Sequence, residues 1–201
     1  MVSRFSGRVL GVTGFAVWAV AVGAGIGVLL RYSNTAGTVA APPHQWPNTS
    51  SLRRIDRRAT LLVFVHPQCP CTASTLDELA SIDTETSHAL DVHVIFYAPE
   101  LASQVWVQSA YWRRVAEMPG LHEVEDWGGK ETRRFHVATS GQALLYDEAG
   151  NLRFSGGITP SRGHVGSNYG RDSIVSLALN RTAPRGTTPV FGCSLLTGDS
   201  R

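Results

Sequence analysis

The 201-residue sequence predicts an α/β fold, a mixed sheet flanked by helices and preceded by one N-terminal transmembrane helix. Three observations carry that expectation. Residues 9–30 contain no charged side chain. Short apolar, β-branched segments alternate with helical periodicity between residues 60 and 117. A hairpin signal and a final amphipathic segment then follow.

At about 1.5 Å per residue, the run over residues 9–30 is long enough to span a hydrocarbon core of about 30 Å. Arg4 and Arg8 precede it, and after Arg31 the next basic residue is Arg53. The positive-inside rule therefore places residues 1–8 in the cytoplasm and the rest outside: a single-pass protein of the inner or plasma membrane with a periplasmic or extracellular domain. The rival reading is a signal peptide cleaved after Thr38-Val39-Ala40. The apolar run is longer than a usual signal core and that site lies well past its end, so an uncleaved anchor is the favoured reading. Residues 31–52, with Pro42, Pro43 and Pro47 and no apolar periodicity, read as an extended linker. The domain is expected over residues 53–180 and a C-terminal tail over 181–201.

Within the domain, Thr60–Val65 reads as a buried strand, residues 72–82 as a helix and residues 92–97 as a second strand, together a βαβ unit. Residues 101–117 are expected to form one helix, with Val105, Trp112 and Val115 on compatible positions, ending before Pro119-Gly120. Residues 121–125 make a short strand. The segments 143–147 and 152–155 flank Glu148-Ala149-Gly150-Asn151, the composition of a hairpin turn. The glycine-rich loop 156–166 lies between a strand and the final helix, where binding loops often sit; the competing reading is a flexible connection, its glycines have no phosphate-binding spacing, and residues 172–179 read as the closing helix.

The chemistry concentrates at Cys69-Pro70-Cys71, between the first strand and its helix. Helix N-termini carry unpaired N–H groups and partial positive charge, which bias a cysteine toward the thiolate. Cys69 is the candidate nucleophile, expected at the N-cap and further from the core, with Cys71 completing the exchange. Pro70 disfavours helical backbone at Cys69, giving the kink that a bridge between residues two apart requires. A bridge closed over one residue is strained, and strain favours oxidising or isomerising other thiols over reducing them. His66, three residues before Cys69, is a candidate support for its thiolate or a third metal ligand; the competing reading is a hydrogen-bonded histidine at the sheet rim. Cys193 stands alone beyond the last helix, and would be a second resolving thiol if the tail folded back over the pair. His136 and His164 have no position the sequence can fix. The 18 basic and 16 acidic residues are interspersed, with Lys130 the only lysine, so no basic stripe points to nucleic acid.

This order of elements, with a cysteine pair between strand and helix, resembles the thioredoxin fold; with the export anchor it resembles membrane-tethered thioredoxin-like proteins of the bacterial envelope. Among these, the RedB-like family carries a His-Pro-x-Cys-Pro-Cys segment similar to His66-Pro67-Gln68-Cys69-Pro70-Cys71. The resemblance spans residues 60–179 and implies a thiol–disulfide oxidoreductase that uses Cys69 and Cys71. Its partners would be protein thiols or disulfides and a redox partner, with no cofactor. The sequence departs from the thioredoxin pattern twice. Thr72 stands where the second cysteine would fall, and Gly141 stands where the family has a cis-proline facing the thiols. The alternative is an exported copper carrier of the same fold, holding Cu(I) through Cys69, Cys71 and His66. Such carriers usually have three residues between the cysteines. A peroxiredoxin-like reading fails, because His66 and Leu62 occupy the places of that family's threonine and proline.

Overall fold

The computed structural model describes residues 3–55 and 57–196. The chain divides into two compact units, Met1–Thr35 and Ala36–Arg201. The first is helix α1, Ser3–Ser33. Its segment Gly11–Ser33 is 23 residues long, about 35 Å at about 1.5 Å per residue, and is apolar enough to cross a membrane. It is a membrane anchor or a signal sequence by length and composition.

The second unit is a five-stranded mixed sheet in the order β3-β2-β1-β4-β5, with helices on it, the architecture expected from the thioredoxin resemblance. Strands β1 (Thr60–Val65), β2 (Asp91–Ala98) and β3 (Leu121–Trp127) are parallel to one another. Strand β4 (Gln142–Tyr146) runs antiparallel to β1, and the edge strand β5 (Leu152–Gly157) runs antiparallel to β4. The parallel pair β1–β2 is bridged by helix α2 (Cys71–Glu85) and the pair β2–β3 by α3 (Gln104–Val107) and α4 (Ala110–Ala116). Helix α5 (Lys130–Arg134) follows β3, and α6 (Tyr169–Ala178) follows β5.

Every residue of β1 is buried, because the strand is paired on both edges and covered on both faces. The period of two divides its side chains between two cores. Leu61, Val63 and Val65 pack with Leu76, Leu79 and Ile82 of α2, Val115 of α4 and Ile174 of α6. Leu62 and Phe64 pack on the other face with Phe135, Val137, Tyr146 and Leu195. The hairpin between β4 and β5 is fixed by Asp147, whose carboxylate accepts from the Ala149 and Asn151 N–H groups, and by Gly150 at φ +83°. Asn168 caps α6 by accepting from the Arg171 N–H at 2.8 Å.

The structure corrects three expectations. Residues 101–117 form two short helices, not one. The chain breaks at Gln108-Ser109, where Ser109 takes extended backbone as the cap of α4. That break turns Val107 and Val115 into the core and leaves Val105 exposed.

The expected linker is the second correction, since residues 36–52 pack on the sheet. Trp46 meets the rings of Phe135 and Tyr146 edge-on at 5.1 and 5.2 Å, and Pro43 C=O accepts from the Tyr146 hydroxyl. The Glu131 carboxylate accepts from the Ser51 N–H and from the Ser50 and Ser51 hydroxyls.

The third concerns the tail. Residues 181–196 belong to the domain, with Val190 and Leu195 in its interior; residues 197–201 of the expected tail, like residues 1–2, lie outside the described residues. The cause of both corrections is shared. Helices α2, α4 and α6 all cover one face, and only the short α5 lies near the other, so the flanking segments complete the second layer.

Because Leu195 is 1% exposed, replacing it with Ala is expected to lower stability by about 2–4 kcal/mol, the cost of a buried leucine truncation. Chemical denaturation of the detergent-solubilised chain measures this; a surface tail would give a change within about 0.5 kcal/mol.

Candidate functional site

After β1 the chain turns through His66-Pro67-Gln68 into α2. The turn is closed by the Cys69 N–H donating to the His66 C=O and the Thr72 N–H donating to the Cys69 C=O, each at 3.0 Å, and by the Thr72 hydroxyl on the same His66 carbonyl. Pro70 takes helical backbone values, φ −58° and ψ −29°, as the residue that caps α2. Cys71 is therefore the first helical residue and Cys69 lies one position outside the cap, not on it.

The exposures also reverse the expectation. Cys69 is 1% exposed, while Cys71 and Cys193 are only partly buried. The reason is the C-terminal strap, residues 186–196. It first follows β5, with the Ser155 N–H on the Gly186 C=O at 3.1 Å and the Gly157 N–H on the Pro189 C=O at 3.2 Å. It then pairs antiparallel with residues 138–140: the Ser140 N–H donates to the Cys193 C=O at 2.8 Å, and the Leu195 N–H donates to the Ala138 C=O at 2.9 Å. Cys193, whose carbonyl makes the first of those bonds, has its Sγ 2.9 Å from Cys69 Sγ.

The three thiols are thereby electrostatically unequal. Burial alone pushes the Cys69 thiol up, but the side chains and backbone N–H groups of both Cys193 and Cys71 hydrogen-bond to it, and together they bring it below the ordinary thiol value. Burial and the neighbouring Cys69 charge push Cys71 up. The same causes push Cys193 up to about 12. Either sulfur of a neutral pair can donate; the further donors on Cys69 favour Cys193 as the one that keeps its proton. The arrangement favours the thiolate at Cys69 over one at either of its two neighbours.

Arg162 is the functional residue that the sequence reading missed. Its guanidinium donates to the Gly192 C=O at 2.6 Å, and its charge opposes the upward shifts at Cys71 and Cys193. The available signal was its place as the sole cation ahead of His164 in the glycine-rich loop, a segment positioned where binding loops often sit.

His66 does not join the sulfurs. Its Nδ1 accepts from the Gln68 N–H at 3.1 Å, and its ring lies between Tyr97 and Trp106. Burial lowers its pKa, in keeping with a neutral ring that accepts at Nδ1. It is the hydrogen-bonded rim histidine of the two readings. Among the described residues no cluster of three or more His, Cys, Asp or Glu has the placement to hold a metal ion. His136 binds the Ala41 carbonyl and His164 the Arg162 carbonyl.

Gly141 stands at the start of β4 with φ +88°, and its N–H donates to the Phe64 C=O at 2.7 Å. A side chain there would be strained, and would press on the Thr75 hydroxyl. Ser140, just before it, accepts from the His66 N–H at 2.9 Å, tying the loop to the thiol turn.

Solved structures share this architecture. One is a hypothetical protein of Sinorhizobium meliloti 1021, 19% identical over 70% of this chain and 80% of its own, with a TM-score of 0.56. Another is an uncharacterized conserved protein of Geobacillus kaustophilus, also 19% identical with a TM-score of 0.56, covering 81% of this chain and 93% of its own. The pneumococcal exposed lipoprotein thioredoxin of Streptococcus pneumoniae strain TIGR4 is more distant, 17% identical over 62% of this chain and 86% of its own, with a TM-score of 0.45. At these identities the likeness is one of fold. No protein-family model and no curated protein sequence matches the chain.

Replacing Cys193 with Ala deletes one donor to the Cys69 sulfur and its cover at once. The pH midpoint for alkylation of Cys69, read by peptide mass spectrometry, should move up toward the ordinary thiol range as the thiolate loses that hydrogen bond, while the rate at high pH increases. An unchanged midpoint would show that Cys193 only shields.

Proposed function

We propose that this chain is a membrane-anchored thiol–disulfide oxidoreductase of the bacterial envelope, RedB-like in its Cys-Pro-Cys segment, with its domain on the periplasmic or outer side. Cys69 is the central sulfur, and Cys71 and Cys193 are its two resolving partners. The observation that supports this most is the convergence of both other cysteines on the Cys69 sulfur, which favours its thiolate and leaves them protonated. A staple that only closed a turn would gain nothing from a third thiol.

In the reduced protein, the Cys69 thiolate attacks one sulfur of a substrate disulfide. A Cys69–substrate disulfide forms, and the other substrate sulfur leaves as a thiolate that takes up a proton. Cys193 or Cys71 then loses its proton and attacks Cys69 Sγ; a Cys69–Cys193 or Cys69–Cys71 bond forms and the second substrate thiolate departs. Two electrons pass from the protein dithiol to the substrate, and the reverse reaction runs through the same intermediates. Among mutually competent thiols the attacking one is set by thiolate fraction and the leaving one by its stability as an anion, and Cys69 is favoured on both counts. No cofactor takes part; the electrons enter or leave through a redox partner's thiols.

A redox titration of the whole chain in detergent, with mass-tagged thiols and copper assayed in the same samples, tests this. Reversible interconversion of a dithiol and a Cys69 disulfide without metal is the expected result; unpaired thiols holding stoichiometric copper would replace the reading with the carrier. Cys69→Ser should lower disulfide exchange by at least about 100-fold, since a hydroxyl does not ionise in this range. Cys71→Ser and Cys193→Ser singly should each leave one resolving partner and a smaller loss.

A further inference from the structure

Resting on that reading, we infer that the strap around Cys193 is a built-in copy of the substrate, and that the cleft takes an extended polypeptide with glycine before its cysteine and a leucine-sized residue two positions after it. The strap presents a cysteine to Cys69 in the manner a bound strand would. The carbonyl of the cysteine itself accepts from the Ser140 N–H, the Leu195 N–H donates to the Ala138 C=O, and between these two bonds an antiparallel bridge joins Thr139 and Ser194. Such pairing recognises backbone, not sequence, so an extended peptide can replace the strap bond for bond.

Three subsites add selectivity. At the position before the cysteine, a Cβ on Gly192 would run into the Ser140 carbonyl, and only glycine fits. The Gly192 C=O itself accepts from Arg162, a donor that an incoming chain would meet at the same carbonyl. Two residues after the cysteine, Leu195 fills an apolar site with Phe135, Val137 and Tyr97. The strap's earlier part, on β5 around Gly156 and Gly157, makes its own hydrogen bonds and can stay in place when residues 191–196 lift away.

While the strap occupies the cleft, Cys69 is closed to solution, so a substrate binds only to the fraction of molecules with the strap displaced. The geometry thus combines selectivity with self-competition: a peptide succeeds to the extent that it matches the segment it displaces.

The test uses the full chain in detergent with Cys71→Ser and Cys193→Ser, leaving Cys69 as the one thiol. The probes are Phe-Gly-Cys-Ser-Leu carrying a nitrothiobenzoate disulfide on its cysteine, and the same peptide with Val in place of Gly or Asp in place of Leu. Attack by Cys69 on the peptide sulfur forms a Cys69–peptide disulfide and releases the coloured aryl thiolate. The glycine–leucine peptide should react at least about 10-fold faster than either altered peptide, and adding Gly192→Val, which evicts the strap, should raise its rate further. A small aryl disulfide serves as control for Cys69 itself.

Equal rates for all three peptides with a reactive control overturn the inference and leave the oxidoreductase reading standing. An unreactive control in the strap-evicted chain overturns both. Should Gly192→Val fail to fold, amide exchange on the Cys71→Ser, Cys193→Ser chain replaces it. Loading the glycine–leucine peptide should strip protection from the Leu195 N–H while the Ser140 N–H keeps it; retained protection at Leu195 would show that the peptide does not displace the strap.

Discussion

A buried sulfur ionises readily only where the protein supplies the hydrogen bonds that water would have made, and the thiol turn and the C-terminal strap together supply them at Cys69. The thiol turn contributes the Cys71 donors, since a chain entering a helix has N–H groups with no intrahelical partner. The strap contributes the Cys193 donors. The strap, in turn, is held by the backbone of residues 138–140 and by Arg162. Loss of either hold removes both cover and hydrogen bonds from the same atom, so the acidity of the Cys69 thiol is tied to the docking of the C-terminus.

The fold was legible wherever burial imposes a period. Strand Thr60–Val65 emerged with its bounds intact because a fully buried strand is apolar throughout, and α2, β2 and the β4–β5 hairpin follow from the same logic with Asp147 and Gly150 marking the turn. Residues 36–52 were illegible for the converse reason. A segment that covers a sheet in irregular conformation uses isolated anchors such as Trp46 and leaves no repeat to detect, and its prolines, which suit extended chain, look like those of a free linker. The break at Gln108-Ser109 is similar: neither residue forbids helix, and the core position of Val107 decides it.

At the site, the sequence marks the thiols but not their partnership. Cys69-Pro70-Cys71 is a local signal, and helix-terminal position gives a local reason for reactivity. Which sulfur is buried depends on Cys193, 124 residues away along the chain, and on a strap without secondary structure of its own. The same non-locality hid Arg162, whose importance lies in the Gly192 carbonyl it reaches. His66 shows the converse: three residues from Cys69 is near in sequence, yet its Nδ1 accepts from the Gln68 N–H.

The glycine that replaces the expected proline connects these observations. With Gly141 at φ +88°, the loop ahead of β4 can hand its N–H to Phe64 and still present the Ser140 N–H to the strap. Proline at 141 would have no N–H to give to Phe64, and could not adopt a positive φ. The strap requires equal permissiveness from its own side, since Gly192 passes where the Ser140 carbonyl leaves no room for a Cβ. Two glycines, far apart in the chain and on opposite strands of one short ladder, thus set how closely the backbones approach. That approach fixes the Cys193 sulfur on Cys69, and any chain that takes the strap's place inherits the same steric limit.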